Sequence, residues 1–195
     1  MNDKYEKNND TVDSEANYTS EKVRFVYQKE LQTSYQTDVW EILCASEKEF
    51  IPPLSERKGT TQQSFSEEKD DNTGLTLYYQ QMLQQEFILA IENEKVIGFL
   101  TFIPDHIIDL ESNKYKCDYV STVIVSSESR GAGIARKMYH ALFENRKGNN
   151  FATRTWSTNY SHIHLLKKME FKLIALLPND RGEGKDTVYY FKDSN

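Results

Sequence analysis

The stretch from residue 123 to residue 136 reads Val-Ile-Val-Ser-Ser-Glu-Ser-Arg-Gly-Ala-Gly-Ile-Ala-Arg. Its three opening residues are β-branched, which is typical of a buried strand. Gly131 and Gly133 then predict a tight turn, because glycine adopts positive φ at little cost and lets a ligand approach the backbone closely. From Gly133 to Asn145 apolar residues recur at helical spacing. The stretch therefore predicts a strand, a glycine turn and an amphipathic helix.

This glycine turn is a candidate anion site. Backbone amides converge at the start of a helix, where unpaired donors and the helix dipole favour an anion such as a pyrophosphate. The glycine spacing is not the G-x-G-x-x-G of dinucleotide-binding folds. A nucleotide-binding module would also need a lysine after the glycines, and Arg136 does not stand at that spacing. A purely structural turn is the alternative that this stretch alone leaves open.

The flanking segments predict the rest of the fold. The predicted strands are 23–27, 87–91, 96–102, 119–125, 151–157, 172–177 and 187–191. The predicted helices are 34–49, 75–85, 133–145 and 160–169, with a polar loop at 55–73. Pro52 and Pro53 end the first helix, because proline lacks an amide donor. This order indicates one α/β (α+β mixed) domain, with helices on the faces of a central mixed sheet.

Composition excludes several classes of protein. A chain of 195 residues fits one domain, and a net charge of −6 argues against nucleic-acid binding, which requires clustered lysine and arginine. No apolar run is long enough to cross a bilayer and no signal segment begins at Met1, so we expect a cytoplasmic protein without a membrane partner. Residues 1–20 are polar, which predicts a disordered tail before a domain at 21–195.

The two cysteines give no sign of a metal site. Cys44 and Cys117 are far apart in the sequence, and neither has a histidine or cysteine at metal-ligand spacing. Two isolated thiols are ordinary in a reducing cytosol, where they serve as small buried hydrophobic residues. We therefore expect no structural or catalytic metal.

Two segments together resemble a known family. Arg130, Gly133 and Ala135 match the R/Q-x-x-G-x-G/A signature of the GNAT superfamily of N-acetyltransferases. Residues 159–171 are similar in spacing to that family's N-x-x-A-x-x-L-Y-x-x-x-G-F segment, and the order of elements fits over residues 23–192. The resemblance implies the GNAT fold, a mostly antiparallel mixed sheet of about seven strands. It also implies acetyl transfer from acetyl-CoA, as co-substrate, directly to a primary amine.

The resemblance also implies where CoA binds. The amides of residues 130–135 would hold its pyrophosphate, and the main chain of Val123 and Val125 would pair with the pantetheine arm. One of those two amides would polarise the thioester carbonyl, and the Asn159 side chain would contact the arm. The implied cofactor-binding residues are Val123, Ile124, Val125, Arg130, Gly131, Ala132, Gly133, Ile134, Ala135 and Asn159.

The chain departs from the family pattern at two positions. Leu166 stands where the family commonly has a tyrosine that protonates the departing thiolate, and Glu170 stands where it commonly has glycine. Tyr160, Ser161, His162 and His164 lie near the start of the last helix and are candidates to replace that tyrosine as acid or proton relay. Surface or capping roles are the alternative for these four side chains.

A general base is also required, because an amine is mostly protonated at neutral pH and only its neutral form attacks. Asp118 and Glu128 lie near the two ends of the predicted cofactor-binding strand, and either carboxylate is a candidate. Each is equally explained as a solvated charge.

The acceptor side offers fewer signals. Trp156 and the segment 50–57 are candidates to line an acceptor pocket, and Arg181 or Asp186 to form its rim; core packing and turn geometry are the alternatives. The acceptor itself stays open among a polyamine, an amino acid, an antibiotic and a protein N-terminus. A CoA-binding sensor with weak or no catalysis, or an enzyme using a longer acyl-CoA, are the alternative functions. Either a monomer or a homodimer is expected.

Overall fold

The computed structural model describes residues 23–61, 73–110 and 113–194. Its strands are β1 Arg24–Gln28, β2 Glu86–Glu92, β3 Lys95–Leu110, β4 Asn113–Val125, β5 Phe151–Trp156, β6 Lys172–Leu177 and β7 Thr187–Lys192. Its helices are α1 Thr33–Ser46, α2 Thr73–Met82, α3 Ile134–Asn145 and α4 Tyr160–Lys168, with short 3-10 helices at Glu47–Glu49, Leu54–Glu56 and Ser127–Ser129. The predicted tail at 1–20 and most of the predicted loop, residues 62–72, lie outside the described residues.

The strands of this described part form one mixed sheet in the order β1-β2-β3-β4-β5-β7-β6. Every neighbouring pair is antiparallel except β4 and β5, which run parallel. The predicted fold class, a mostly antiparallel seven-stranded sheet flanked by helices, is confirmed.

Hydrophobic cores cover both faces of the sheet. Strand β2 shows why: Phe87 and Leu89 pack with residues of α1 and α2, whereas Ile88 and Ala90 pack with residues of α3 and α4. Successive side chains of a strand point to opposite faces, so a strand buried on both sides reads as a continuous apolar run. Full burial of each large apolar side chain contributes roughly 1.5–3 kcal/mol.

The main error of the sequence-based prediction lies between residues 103 and 118, where a loop was expected. Both β3 and β4 continue through this region as a long hairpin, and β3 bulges where Ile103 pairs with Tyr119 but His106 pairs with Cys117. Asp105 lies in the bulge with a φ of 53°. Polar residues and a proline on this ribbon hide the alternating pattern that predicts strands.

The end of α4 explains one departure from the family pattern. Glu170 has a φ of 66°, the left-handed conformation that glycine favours. The amide of Glu170 donates to the carbonyl of Lys167 at 3.1 Å, and the amide of Phe171 donates to the carbonyl of Leu166 at 3.0 Å. This is the Schellman arrangement, in which a left-handed residue closes the helix. Leu166, fully buried, and Phe171 belong to the same core cluster.

We expect Glu170→Gly to be more stable than Glu170→Ala by about 1 kcal/mol in free energy of unfolding. A side chain in the left-handed region costs roughly 1–2 kcal/mol, which exceeds the entropy that glycine adds to the unfolded chain. Both variants lose the exposed contact of Glu170 with Lys192, at 3.4 Å, so the comparison isolates the backbone effect. Urea unfolding measures it, and equal midpoints would contradict the strain.

Candidate active site

A cleft opens where β4 and β5 separate. The two strands pair only at three positions, from Asp118 opposite Phe151 to Val120 opposite Thr153. On the other side of β4, Phe102 pairs with Val120 but Thr101 pairs with Thr122, so the intervening residue forms a bulge. A bulge bends its strand, and the cleft beyond this point has a volume of about 430 Å³, within the range typical of ligand sites.

Main-chain groups of β4 that pair with no neighbouring strand line this cleft. The amide of Ser126 donates to the carbonyl of Ile97 on β3, at 2.9 Å. Main-chain groups of a strand alternate in direction, so Ile124 also faces β3 whereas Val123 and Val125 face the cleft. The carbonyl of Val125 fits this assignment, because it accepts a hydrogen bond from Nε of Arg130 at 3.1 Å.

The glycine turn closes one end of the cleft. Gly131 and Gly133 have φ values of 83° and 73°, as a tight turn requires. Gly133 is the N-cap of α3, no side chain caps the helix, and its first turn carries no acidic residue. Within the described part of the chain, the amides of residues 131–136 have no hydrogen-bond acceptor. These donors and the helix dipole suit an anion.

The residues implied to bind CoA lie together. The cleft is lined by Val123, Ile124, Val125, Arg130, Ala135 and Asn159. Gly131, Ala132 and Gly133 are exposed beside it, and the Ile134 side chain is buried in the core, which leaves only its amide available. Asn159 caps α4 by accepting the amide hydrogen of His162. A sequence motif on the turn and a second one on α4 thus meet across one cleft.

Among the described residues, two of the α4 candidates line the cleft: the exposed Ser161 and the partly buried His162. The Nε2 atom of His162 lies 3.0 Å from the hydroxyl of Tyr139, a buried residue of α3. Burial lowers the pKa of His162 to about 4, because the charged form loses solvation. The imidazole is therefore neutral at neutral pH. Burial likewise raises the pKa of Tyr139 far above its usual value.

The structure does not bring the other candidates to the cleft. Tyr160 is 74% exposed and His164 is also exposed, and neither belongs to the described lining. Glu128 is exposed in the 3-10 helix after β4. Asp118 is buried in the middle of β4, on the side of the bulge away from the cleft, where it accepts hydrogen bonds from Arg146 at 2.7 and 3.1 Å. Its position before the bulge, in a buried ion pair, is that of a structural carboxylate.

Several lining residues are among those predicted to form an acceptor pocket. Trp156 packs against Phe50 at a centroid distance of 5.9 Å, and both line the cleft with Arg57 and Arg181, as the acceptor-side predictions suggested. Asp186 is not part of the described lining. The sequence-based predictions missed Arg154, Glu49 and Thr122. Arg154 is a charged residue between Thr153 and Thr155, on a strand that was predicted to be buried. This mismatch was the signal that could have marked Arg154 as a site residue.

Glu49 is the only carboxylate among the described residues that line the cleft. It forms an ion pair with Arg130 at 2.9 Å, which joins the segment after α1 to the glycine turn. Both side chains are about half exposed. Glu49 is thus the one acidic side chain of the described lining, and no pattern in the sequence pointed to it.

The chain matches the profile of the acetyltransferase (GNAT) family over residues 52–171, which is more than half of its length. The chain therefore belongs to the acetyltransferase (GNAT) family. This confirms the resemblance seen in its two motifs and the prediction of an acetyltransferase. A search of curated protein sequences gave no match.

Solved structures share this fold. Aminoglycoside 6'-acetyltransferase type Ii is 13% identical, with 88% of this chain and 97% of that chain covered and a TM-score of 0.63. Ribosomal-protein-alanine N-acetyltransferase from Brucella melitensis is 16% identical, with 86% and 99% covered and a TM-score of 0.58. The protein yncA from Salmonella typhimurium, determined with its cofactor acetyl-CoA, is 18% identical, with 88% and 94% covered and a TM-score of 0.59. At these identities the likeness shows the fold alone.

Residues 23–61, 73–110 and 113–194 contain neither a group of metal-ligating side chains nor a helix that could span a membrane. No three His, Cys, Asp or Glu side chains there are grouped so that they could hold a metal ion. None of the helices is long and apolar enough to cross a membrane.

Proposed function

We propose that this protein transfers the acetyl group of acetyl-CoA directly to the primary amine of a bound acceptor. One observation carries the proposal: main-chain groups of β4 that pair with no neighbouring strand line a cleft that ends at the uncapped start of α3. This combination suits a ligand with an extended amide-containing arm and a pyrophosphate.

In this proposal CoA lies along β4 like an added strand. Main-chain groups of Val123 and Val125 pair with the two amides of the pantetheine arm, as a neighbouring strand would. The amides of residues 131–136 and the Arg130 side chain receive the pyrophosphate. Asn159 contacts the arm from the start of α4. The thioester then lies beside Trp156 and His162.

The reaction proposed is a direct displacement. The neutral amine attacks the thioester carbonyl carbon, the carbon–sulfur bond breaks, CoA leaves as a thiolate and the amine loses one proton. A main-chain amide of Val123 or Val125 donates to the carbonyl oxygen as negative charge develops. Alignment of amine and thioester supplies much of the acceleration.

An acyl-enzyme on cysteine has no support in this site. Burial raises the pKa of the Cys117 thiol to about 12, so the nucleophilic thiolate is scarce at neutral pH. Cys44 on α1 is exposed, contrary to the expectation that both thiols are buried, although partial desolvation and the charge of Glu47 raise its pKa. Neither thiol belongs to the described cleft lining. Direct transfer is the simpler route.

Proton transfer is proposed to rest on Glu49, the acceptor amine and solvent. Glu49 is placed to take the amine proton once the CoA pyrophosphate competes for its partner Arg130. His162 acts as a neutral, positioning hydrogen-bonding group, because its low pKa removes it as an acid at neutral pH.

We expect Tyr160→Phe and His164→Ala each to change turnover by less than about threefold, roughly 0.7 kcal/mol of barrier. Both side chains point away from the cleft. His162→Asn, in contrast, should lower kcat/KM by about tenfold or more. The rate should rise with pH at the same midpoint in wild type and His162→Asn, because His162 with its pKa of about 4 does not titrate near neutrality. A tenfold loss in His164→Ala, or a midpoint that moves in His162→Asn, would contradict these assignments.

The decisive experiment measures binding and turnover separately. Acetyl-CoA binding is measured by calorimetry, and release of free CoA is followed with amines of every acceptor class. Tight binding with CoA release supports the proposed enzyme. Tight binding without release from any amine would favour the sensor function, and no binding would overturn the proposal.

A further inference from the structure

Three arginines from distant parts of the chain meet at the acceptor side of the cleft. Arg57 follows the 3-10 helix Leu54–Glu56, Arg154 lies on β5, and Arg181 lies in the connection between β6 and β7. All three line the cleft. Arg181 is only 7% exposed, and Arg57 and Arg154 are partly buried. We call these residues the arginine cluster.

The guanidinium groups of the cluster are close enough to repel one another. The carbonyl oxygen of Ile51 accepts hydrogen bonds from both Arg57, at 3.3 Å, and Arg181, at 2.7 Å. Burial together with the charges of Arg57 and Arg154 lowers the pKa of Arg181 to about 9. Arg154 donates to the hydroxyl of Tyr189 at 3.2 Å and lies over its ring.

No carboxylate in the described part of the chain forms an ion pair with the cluster. The ion pairs found there involve other cations, among them Arg24, Arg130 and Arg146. Asp180 attracts Arg154 and Arg181 from beyond ion-pair distance, and its carboxylate accepts a hydrogen bond from Thr187. Partly buried positive charge thus exceeds negative charge at this end of the cleft.

The arginine cluster also has N–H donors that the hydrogen bonds described here do not use. A guanidinium has five N–H donors. Arg154 uses one in the contacts described, Arg181 uses two, and Arg57 uses two on main-chain carbonyls besides its contact with Tyr78. Buried charge without a partner is costly, and such cost is commonly retained where a ligand relieves it.

We propose, resting on the function proposed above, that the acceptor is a small amine carrying an oxyanion, a carboxylate or a phosphate, that the arginine cluster binds. Guanidinium forks match the geometry of both groups and form strong charge-assisted bonds with them. The oxyanion anchors the acceptor, and the amino group extends toward the thioester at β4. An amino acid or a phosphorylated amine fits this description.

The same charges disfavour polycationic acceptors. A polyamine or aminoglycoside would bring positive charge against three arginines, and the one described carboxylate of the cleft, Glu49, already pairs with Arg130. The overall charge of −6 would attract such cations to the surface. The arginine cluster, and not the overall charge of the protein, therefore disfavours polycations at the site.

Anion binding to the cluster can be measured without CoA. Inorganic phosphate, compared with chloride at equal ionic strength, should raise the Tm of the wild type and of Arg24→Gln, whose exposed arginine pairs with Glu94 far from the cleft. In Arg154→Gln the rise should fall by at least half, and Arg154→Lys, which keeps the charge, should retain more of it. Equal rises in all four proteins would overturn the proposal.

Turnover with matched amines then identifies the anion. Wild-type kcat/KM should be at least tenfold higher for an α-amino acid than for its carboxamide, or for phosphoethanolamine than for ethanolamine; the larger ratio names the group bound. Arg154→Gln should reduce that ratio to below about threefold, whereas Arg24→Gln should preserve it. Preference for neutral amines or polyamines would overturn the cluster's role while leaving the acetyltransferase intact. Phosphate stabilisation that Arg154→Gln reduces, without any turnover, would instead contradict the proposed function and leave the anion site standing.

Discussion

Replacing Arg146 by methionine should lower the free energy of unfolding by about 3–5 kcal/mol. Asp118 is 1% exposed and accepts both guanidinium hydrogen bonds of Arg146, an amide hydrogen bond from Asn149 at 3.0 Å and the main-chain amide of Asp105 at 3.1 Å. Removal of the arginine leaves a buried carboxylate without its countercharge. Urea unfolding at neutral pH measures the loss.

A double variant separates the ion pair from simple packing. Arg146→Met combined with Asp118→Asn removes both charges, so it should recover a substantial part of the loss, as replacement of whole buried pairs commonly does. Arg24→Met, which breaks an exposed ion pair, should cost less than about 1 kcal/mol. A single Arg146→Met that unfolds like Arg24→Met would show that Asp118 is not held by this pair.

The same network bears on catalysis. Both carboxylate oxygens of Asp118 accept hydrogen bonds, and the residue lies in the middle of β4, before the bulge that precedes the cleft. We therefore expect Asp118→Asn to lower stability while folded protein keeps its turnover within about threefold. A carboxylate near a predicted cofactor strand looks like a base in sequence, since sequence does not reveal which partners neutralise it.

One part of the site is built from a single continuous segment of the chain. Local signals in the sequence predicted this part. The glycines of the turn both take positive φ, and α3 starts at the residue after Gly133. The order of strands and helices was predictable because each element carries its own periodicity. Even Glu170, a departure from the motif, takes the backbone conformation that the family's glycine would favour.

The arginine cluster was not predictable as a group. Arg57, Arg154 and Arg181 belong to three distant segments that meet only after the sheet has formed, so no local pattern joins them. The long hairpin was missed for a related reason: its strands are stabilised by a small core with residues of β7, including Tyr189. Long-range packing, unlike turn chemistry, leaves little trace in a single sequence.

Replacing Gly133 by valine should weaken CoA binding by at least about tenfold, roughly 1.4 kcal/mol. Gly133 has a φ of 73°, which a β-branched residue adopts only with strain. A Cβ built there meets nothing within 4 Å, so the protein itself leaves room for it. In the proposed complex that open space is where the pyrophosphate approaches the amides of the turn, and a valine side chain would keep it at a distance.

Gly148→Val is the matched control. Gly148 has a φ of 88°, its Cβ would also meet nothing within 4 Å, and it lies outside the described lining of the cleft. Both variants should lose similar stability in urea unfolding, but calorimetry should find weaker CoA binding only in Gly133→Val. Acetyl-pantetheine, which lacks the pyrophosphate, should bind both variants equally well, because its contacts lie along β4. If CoA binds Gly133→Val as tightly as Gly148→Val, the glycine turn does not hold the pyrophosphate and the proposed orientation of CoA is wrong.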